Sequence, residues 1–165
     1  MRPDLVVSPR RAVFAGRPLA FTVGAGGIGY KQAEGDGMTP IGRFALREVW
    51  YRADRVAVST HLPVHPIRAE DGWSDDPSDP DYNQHVHLPH RFSHERLHRD
   101  GGEYDVLAVM DYNLNPVMAG RGSAVFLHIW RGQSHPTAGC IAMARDDLLW
   151  VLAHWQVDSR VIVQP

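Results

Sequence analysis

The chain has 165 residues, 44% of them apolar and 22% charged, with 17 basic against 19 acidic groups and a formal net charge of −2. That length suits one domain, residues 1–165, with a real core. The composition excludes a disordered chain, and the charge balance gives no electrostatic case for a nucleic-acid partner. The single cysteine, Cys140, excludes an internal disulfide, and no apolar run approaches the length of a transmembrane helix. Sixteen of the 17 basic residues are arginine, with Lys31 the exception. The first residues, Met1 to Arg11, lack the apolar core of a signal peptide.

In chain order, residues 4–8 and 11–15 are short Val-, Leu- and Phe-rich runs split by Pro9, and both read as strands. Residues 19–23 read as a third strand, returning from a turn at Gly16 to Pro18. Gly24 to Gly29 has the spacing of a dinucleotide-binding loop, but such a loop must open a helix. Gly35, Gly37 and Pro40 follow too soon for one, so the segment reads as a tight loop. Residues 41–52 read as a strand with Phe44, Leu46 and Trp50 facing a core. Residues 62–83, punctuated by Pro63, Pro66, Pro77 and Pro80, read as a long irregular insert and a candidate cleft wall.

Residues 85–98 hold five histidines: His85, His87, His90, His94 and His98. His90, His94 and His98 would share one face of a helix; His85 and His87 would share one face of a strand. A zinc site is the sharper reading and solvated histidines the plainer one. No cysteine or carboxylate spacing supports zinc, so no metal is assigned. Residues 104–110 and 124–128 are strands around a turn at 111–116. Asp146 to Trp155 has helical spacing, and residues 160–163 close the chain as a strand. The expectation is a mainly β domain of about eight strands with one or two helices.

The chemistry concentrates in Phe126 to Met143. A strand ends on His128, and a short loop returns the lone Cys140 beside Gly139. A histidine that can serve as base for a thiol is how a cysteine nucleophile is built. The plainer reading is a small buried thiol and a satisfied buried histidine. The helix expected just after Cys140 would favour a thiolate through its N-terminus. Gly139, lacking a Cβ, would let backbone N–H groups face an oxyanion.

Three segments together resemble the L,D-transpeptidase (YkuD-type) catalytic domain. Thr137-Ala138-Gly139-Cys140 matches the signature of Ser or Thr, any residue, Gly and Cys. Thr39-Pro40-Ile41-Gly42-Arg43-Phe44 resembles the family's Thr-Pro-x-Gly-x-Phe segment, and Gly120 to His128 resembles its approach to the histidine. The resemblance implies a β-sandwich with one or two helices packed on it, acting on peptidoglycan stem peptides without a cofactor. It implies Cys140 as nucleophile and His128 as base. Ile129 would orient the imidazole through its carbonyl, and Gly139 and Thr137 would complete the positioning set. It also implies a place in the cell envelope.

The chain departs from the family where Ala138 and Ala142 stand for residues that are often polar, and in a shorter His-to-Cys loop. His135 or Arg131 could supply a lost polar group. Two other outcomes use the same fold. An L,D-carboxypeptidase or amide hydrolase would resolve the thioester with water, and a wall-binding module would do no chemistry.

Overall fold

The computed structural model describes residues 2–165. Its strands are β1 (Leu5–Ser8), β2 (Arg11–Phe14), β3 (Arg17–Leu19), β4 (Phe21–Thr22), β5 (Ile28–Gly29), β6 (Thr39–Pro40), β7 (Gly42–Phe44) and β8 (Leu46–Tyr51). After them come β9 (Val64–Pro66), β10 (Asp71–Ser74), β11 (His85–His87), β12 (His94–Arg96), β13 (Val106–Met110), β14 (Phe126–Ile129) and β15 (Ile141–Met143). The single helix among the described residues, α1 (Arg145–Ala153), precedes the last strand, β16 (Val161–Val163).

Two sheets form a sandwich. The five-stranded sheet runs β3-β2-β1-β16-β7 and the six-stranded sheet β4-β15-β14-β13-β8-β9. The two chain ends meet inside the first sheet, where β1 pairs parallel to β16 with Leu5 opposite Val161. Between the sheets lies one core built from alternate residues: Leu5, Val7 and Phe14 from one side, Leu127, Ile129, Ile141 and Met143 from the other. The helix adds Leu148, Val151 and Leu152.

Strand expectations at 19–23 and 41–52 are corrected by two sheet changes. The chain leaves the five-stranded sheet between β3 and β4, and again at Ala45 between β7 and β8. At Ala45 the corner is held by Asp111, whose side chain accepts the Ala45 N–H at 2.8 Å and whose N–H donates to the Ala45 carbonyl at 3.0 Å. A strand that changes sheets keeps its apolar pattern, so the break leaves no mark in hydrophobic periodicity.

The insert is also more regular than expected. β9 extends the six-stranded sheet beside β8, and β10 is the middle strand of a small sheet ordered β11-β10-β12. This small sheet contributes to a second core on the far face of the six-stranded sheet, with Trp50, Trp73, Leu97, Tyr104, Leu107, Phe126 and Cys140. Trp73 meets Phe126 edge to face at 5.2 Å. The helical face expected for His90, His94 and His98 does not form. His94 sits in β12 and no helix spans the segment, because pairing of β12 with β10 satisfies its backbone and overrides the spacing.

The helix expected over Asp146 to Trp155 runs from Arg145 to Ala153. Trp155 lies just past its end, fully buried and stacked on Phe14 at 5.8 Å. Trp155→Ala would leave a large void between the helix and both sheets. It is expected to cost about 4 kcal/mol of unfolding free energy, read from urea denaturation. A loss below about 1 kcal/mol would place Trp155 outside the load of the core.

Candidate active site

The parallel pair β14 and β15 positions the expected nucleophile and base. Their register sets Leu127 opposite Ile141 and His128 opposite Ala142. Side chains alternate along a strand, so Cys140 and His128 project from the same face, two residues apart in register. Their Cα atoms are then separated by roughly 8 Å along the diagonal. Both line one cavity of about 280 Å³, together with Lys31, Glu95, Arg99 and Tyr104.

His128 is only 8% exposed. Its Nδ1 lies 2.7 Å from the Ile129 carbonyl oxygen, so Nδ1 carries the proton and Nε2 keeps its lone pair. The Tyr104 ring packs edge-on against the imidazole at 5.3 Å. The Cys140 thiol donates to the Ala124 carbonyl at 3.1 Å and accepts the Phe126 N–H at 3.4 Å. Ala124 is itself held in a left-handed conformation, φ 51°.

Thr137 and Gly139 shape the loop. Thr137 Oγ1 donates to the Cys140 carbonyl at 2.7 Å and accepts the Gly139 N–H at 3.1 Å. One of the two amides expected to face an oxyanion is therefore occupied within the loop. Gly139 has φ +141°, and a Cβ there would come within 2.9 Å of the Met38 carbonyl. No other residue type fits without displacing backbone.

Several residues beside the site had no role assigned from the sequence, Thr39 among them although it opens the Thr39–Phe44 segment. Thr39, fully buried, donates from Oγ1 to the Gly139 carbonyl at 2.9 Å and accepts the Gly24 N–H at 2.8 Å. The Gly24 loop is thus a wedge against the cysteine loop, which accounts for its glycines without a nucleotide. Lys31 donates to Asp36 at 2.7 Å and to the Met38 carbonyl at 3.2 Å, with its side chain 4% exposed. Its status as the lone lysine was the one available hint.

Asn83, with φ 57°, accepts from Trp73 Nε1 and the Ala124 N–H, each at 3.0 Å, and donates to the Tyr112 and Asn113 carbonyls. It ties the insert to the residue that holds the thiol. Arg131 and His135 line the cavity, and Arg131 pairs with Glu103 at 2.9 Å.

The electrostatics differ from the expectation of a stabilised thiolate. Burial pushes the Cys140 thiol up to about 12, helped by the Glu95 carboxylate and opposed by the Phe126 N–H, Lys31 and Arg99. The helix starts at Arg145, five residues beyond Cys140. Burial likewise pulls His128 down to about 4, against the carbonyl of Ile129 and the main chain at Glu103. The resting site holds a neutral thiol and a neutral imidazole.

This makes stability pH-dependent in a defined direction. An unperturbed imidazole takes its proton near 6.5, while His128 in the fold resists down to about 4. Its contribution is present above pH 6.5 and is lost as pH falls through 4. Between those values the wild-type chain is expected to lose about 3 kcal/mol more than His128→Asn, measured by urea unfolding across pH. Parallel acid limbs for the two proteins would refute the buried neutral histidine.

The family model for the YkuD L,D-transpeptidase catalytic domain matches residues 5–163. No curated protein and no solved structure matches the chain. The match takes in both sheets of the sandwich, the insert, His128 and Cys140, and on this ground the chain belongs to the L,D-transpeptidase catalytic-domain family.

Proposed function

We propose that the protein is a cysteine-dependent peptidoglycan L,D-transpeptidase that acts on stem peptides through a thioester at Cys140. The observation that carries this reading is the shared face: thiol and imidazole line one cavity from adjacent parallel strands, with Nε2 left as an acceptor.

Because burial favours the neutral pair, the proton leaves the thiol as the sulfur attacks, rather than beforehand. His128 Nε2 takes that proton while the Cys140 sulfur bonds to the substrate carbonyl carbon. The carbonyl oxygen becomes an oxyanion, which the Cys140 N–H stabilises, joined by the Gly139 N–H if it turns from Thr137. The tetrahedral species collapses to a thioester, and the amine of the terminal D-residue departs with the proton from His128. An acceptor amine then attacks the thioester, gives up a proton to His128 and releases the sulfur as thiol. The product is a new cross-link of the cell envelope.

One observation favours a second outcome. At about 280 Å³ the cavity is at the small end for a ligand pocket, and charged side chains line it. Water then competes well with a bulky acceptor, and the same thioester yields an L,D-carboxypeptidase.

Purified disaccharide tetrapeptide separates these outcomes. New 3–3 linked dimers support transfer; tripeptide alone supports hydrolysis; unchanged substrate with wild-type protein would end the enzymatic reading. Cys140→Ala is expected to abolish both products, and His128→Ala to lower the rate by about 100-fold or more. Carbapenem acylation, read by intact mass, gives an independent measure. An undiminished adduct rate in His128→Ala would remove His128 as the base.

A further inference from the structure

We propose that Asp71, His85 and His87 form a divalent-cation site of zinc type at the edge of the insert. It is separate from the Cys140 cavity and does not rest on the acyl-transfer reading. Each of these residues offers one ligand atom, and all three atoms lie within 4.8 Å of one another.

The strand geometry builds the group. β10 and β11 pair antiparallel with Asp71 directly opposite His87, so their side chains share a face. His85, two residues before His87, projects from that face too. This is the strand relation anticipated for His85 and His87 from the sequence, now completed by a carboxylate from the neighbouring strand.

Two of the three ligands are already held in place. Asp71 is 4% exposed, and its Oδ2 accepts the Arg68 N–H at 2.7 Å. Its Oδ1 lies 2.7 Å from His85 Nε2. The His85 ring stacks on Trp50 at 4.7 Å, only 13° from parallel. Such outer contacts fix ring orientation as they do around metal-bound histidines. His87 is exposed and meets the His85 ring edge to face at 5.0 Å.

Two neutral imidazoles and one carboxylate suit a borderline cation such as zinc. Ligand atoms around tetrahedral zinc sit about 3.3 Å apart. The Asp71–His85 pair is already near that spacing, and the exposed His87 side chain can close the remainder by a change of rotamer. The cation would replace the proton now shared between His85 Nε2 and Asp71, with His85 protonated at Nδ1 instead. The fourth position faces solvent on the His87 side and would take water. Bound there, the ion cross-links β10 to β11 beside the edge of the six-stranded sheet.

The test uses the full chain carrying Cys140→Ala, so that the thiol cannot bind metal, after treatment with chelator. Zinc is titrated calorimetrically near pH 7.5, with thermal unfolding followed with and without the metal. One zinc per chain is expected, together with a rise in the unfolding midpoint. His87→Ala and Asp71→Asn are each expected to weaken binding by about ten-fold or more and to remove most of the thermal shift. His87 is exposed, so its substitution leaves the fold intact. Cobalt(II) in place of zinc is expected to show the intense visible absorption of a four-coordinate site. Absence of saturable binding would overturn the proposal. So would unchanged affinity and stoichiometry in His87→Ala, which would place zinc on other histidines such as His90 or His94.

Discussion

The parallel pairing of β14 with β15 is the constraint on which the site depends. Its register sends Leu127, Ile129, Ile141 and Met143 into the core between the sheets, and His128 and Cys140 to the opposite face. A slip of one residue would exchange these sets, placing the thiol in the main core and Ile141 in the cavity. The burial of four large apolar side chains therefore opposes any misplacement of the Cys140 thiol. The loop between the strands is pinned from outside as well. Thr39 holds the Gly139 carbonyl, Thr137 N–H donates to Val23 at 3.0 Å, and Ala25 N–H donates back to Thr137 at 2.9 Å. Segments a hundred residues apart thus meet on one short loop.

The second face of the six-stranded sheet sets the electrostatics. Left open to water, that face would leave a thiol near its ordinary range. Instead Trp73 from the insert and Leu97 beside β12 cover it, and Tyr104 closes over His128. The same cover that completes a second core also desolvates both reactive groups, in opposite directions: thiol up, imidazole down. A preformed ion pair is disfavoured by that arrangement. In the proposed reaction, charge would develop only as the substrate carbonyl arrives with the donors that stabilise it. A thiol held protonated by burial is also less open to oxidation.

The legible parts of the sequence were those where one local rule decided. Residues 104–110 and 124–128 read as strands because the strands they contain, Val106–Met110 and Phe126–Ile129, are buried on both faces and so nearly uniformly apolar, and His128 stood out against that background. The glycines of 24–29 could be denied a nucleotide role because no helix could follow. Segments shaped by long-range pairing were not legible. The corner at Ala45 depends on Asp111, sixty-six positions away, and nothing local announces it. The four-residue spacing of His90, His94 and His98 suggested a helix. Strand pairing to β10 decided otherwise, since backbone groups must be satisfied whatever the side-chain spacing. Asn83 fell only within the candidate cleft wall, although four hydrogen bonds make it the joint between the insert and the Cys140 cavity.

The insert therefore does more than fill space beside the cleft. Asn83 Oδ1 takes the Ala124 N–H, while the carbonyl of the same Ala124 takes the Cys140 thiol. Ala124 adopts a left-handed conformation that is uncommon for alanine, and the hydrogen bonds on either side of its peptide units hold it there. Trp73 anchors the other end of the chain of contacts, through Asn83 and through the Phe126 ring. The orientation of the thiol is consequently set from two directions, by the β14–β15 register and by the insert. Of these, the register is common to any sequence that buries Leu127 and Ile141. The insert contact is particular to the side chains at 73 and 83, so it is the place where this chain can tune its cysteine without altering the sandwich.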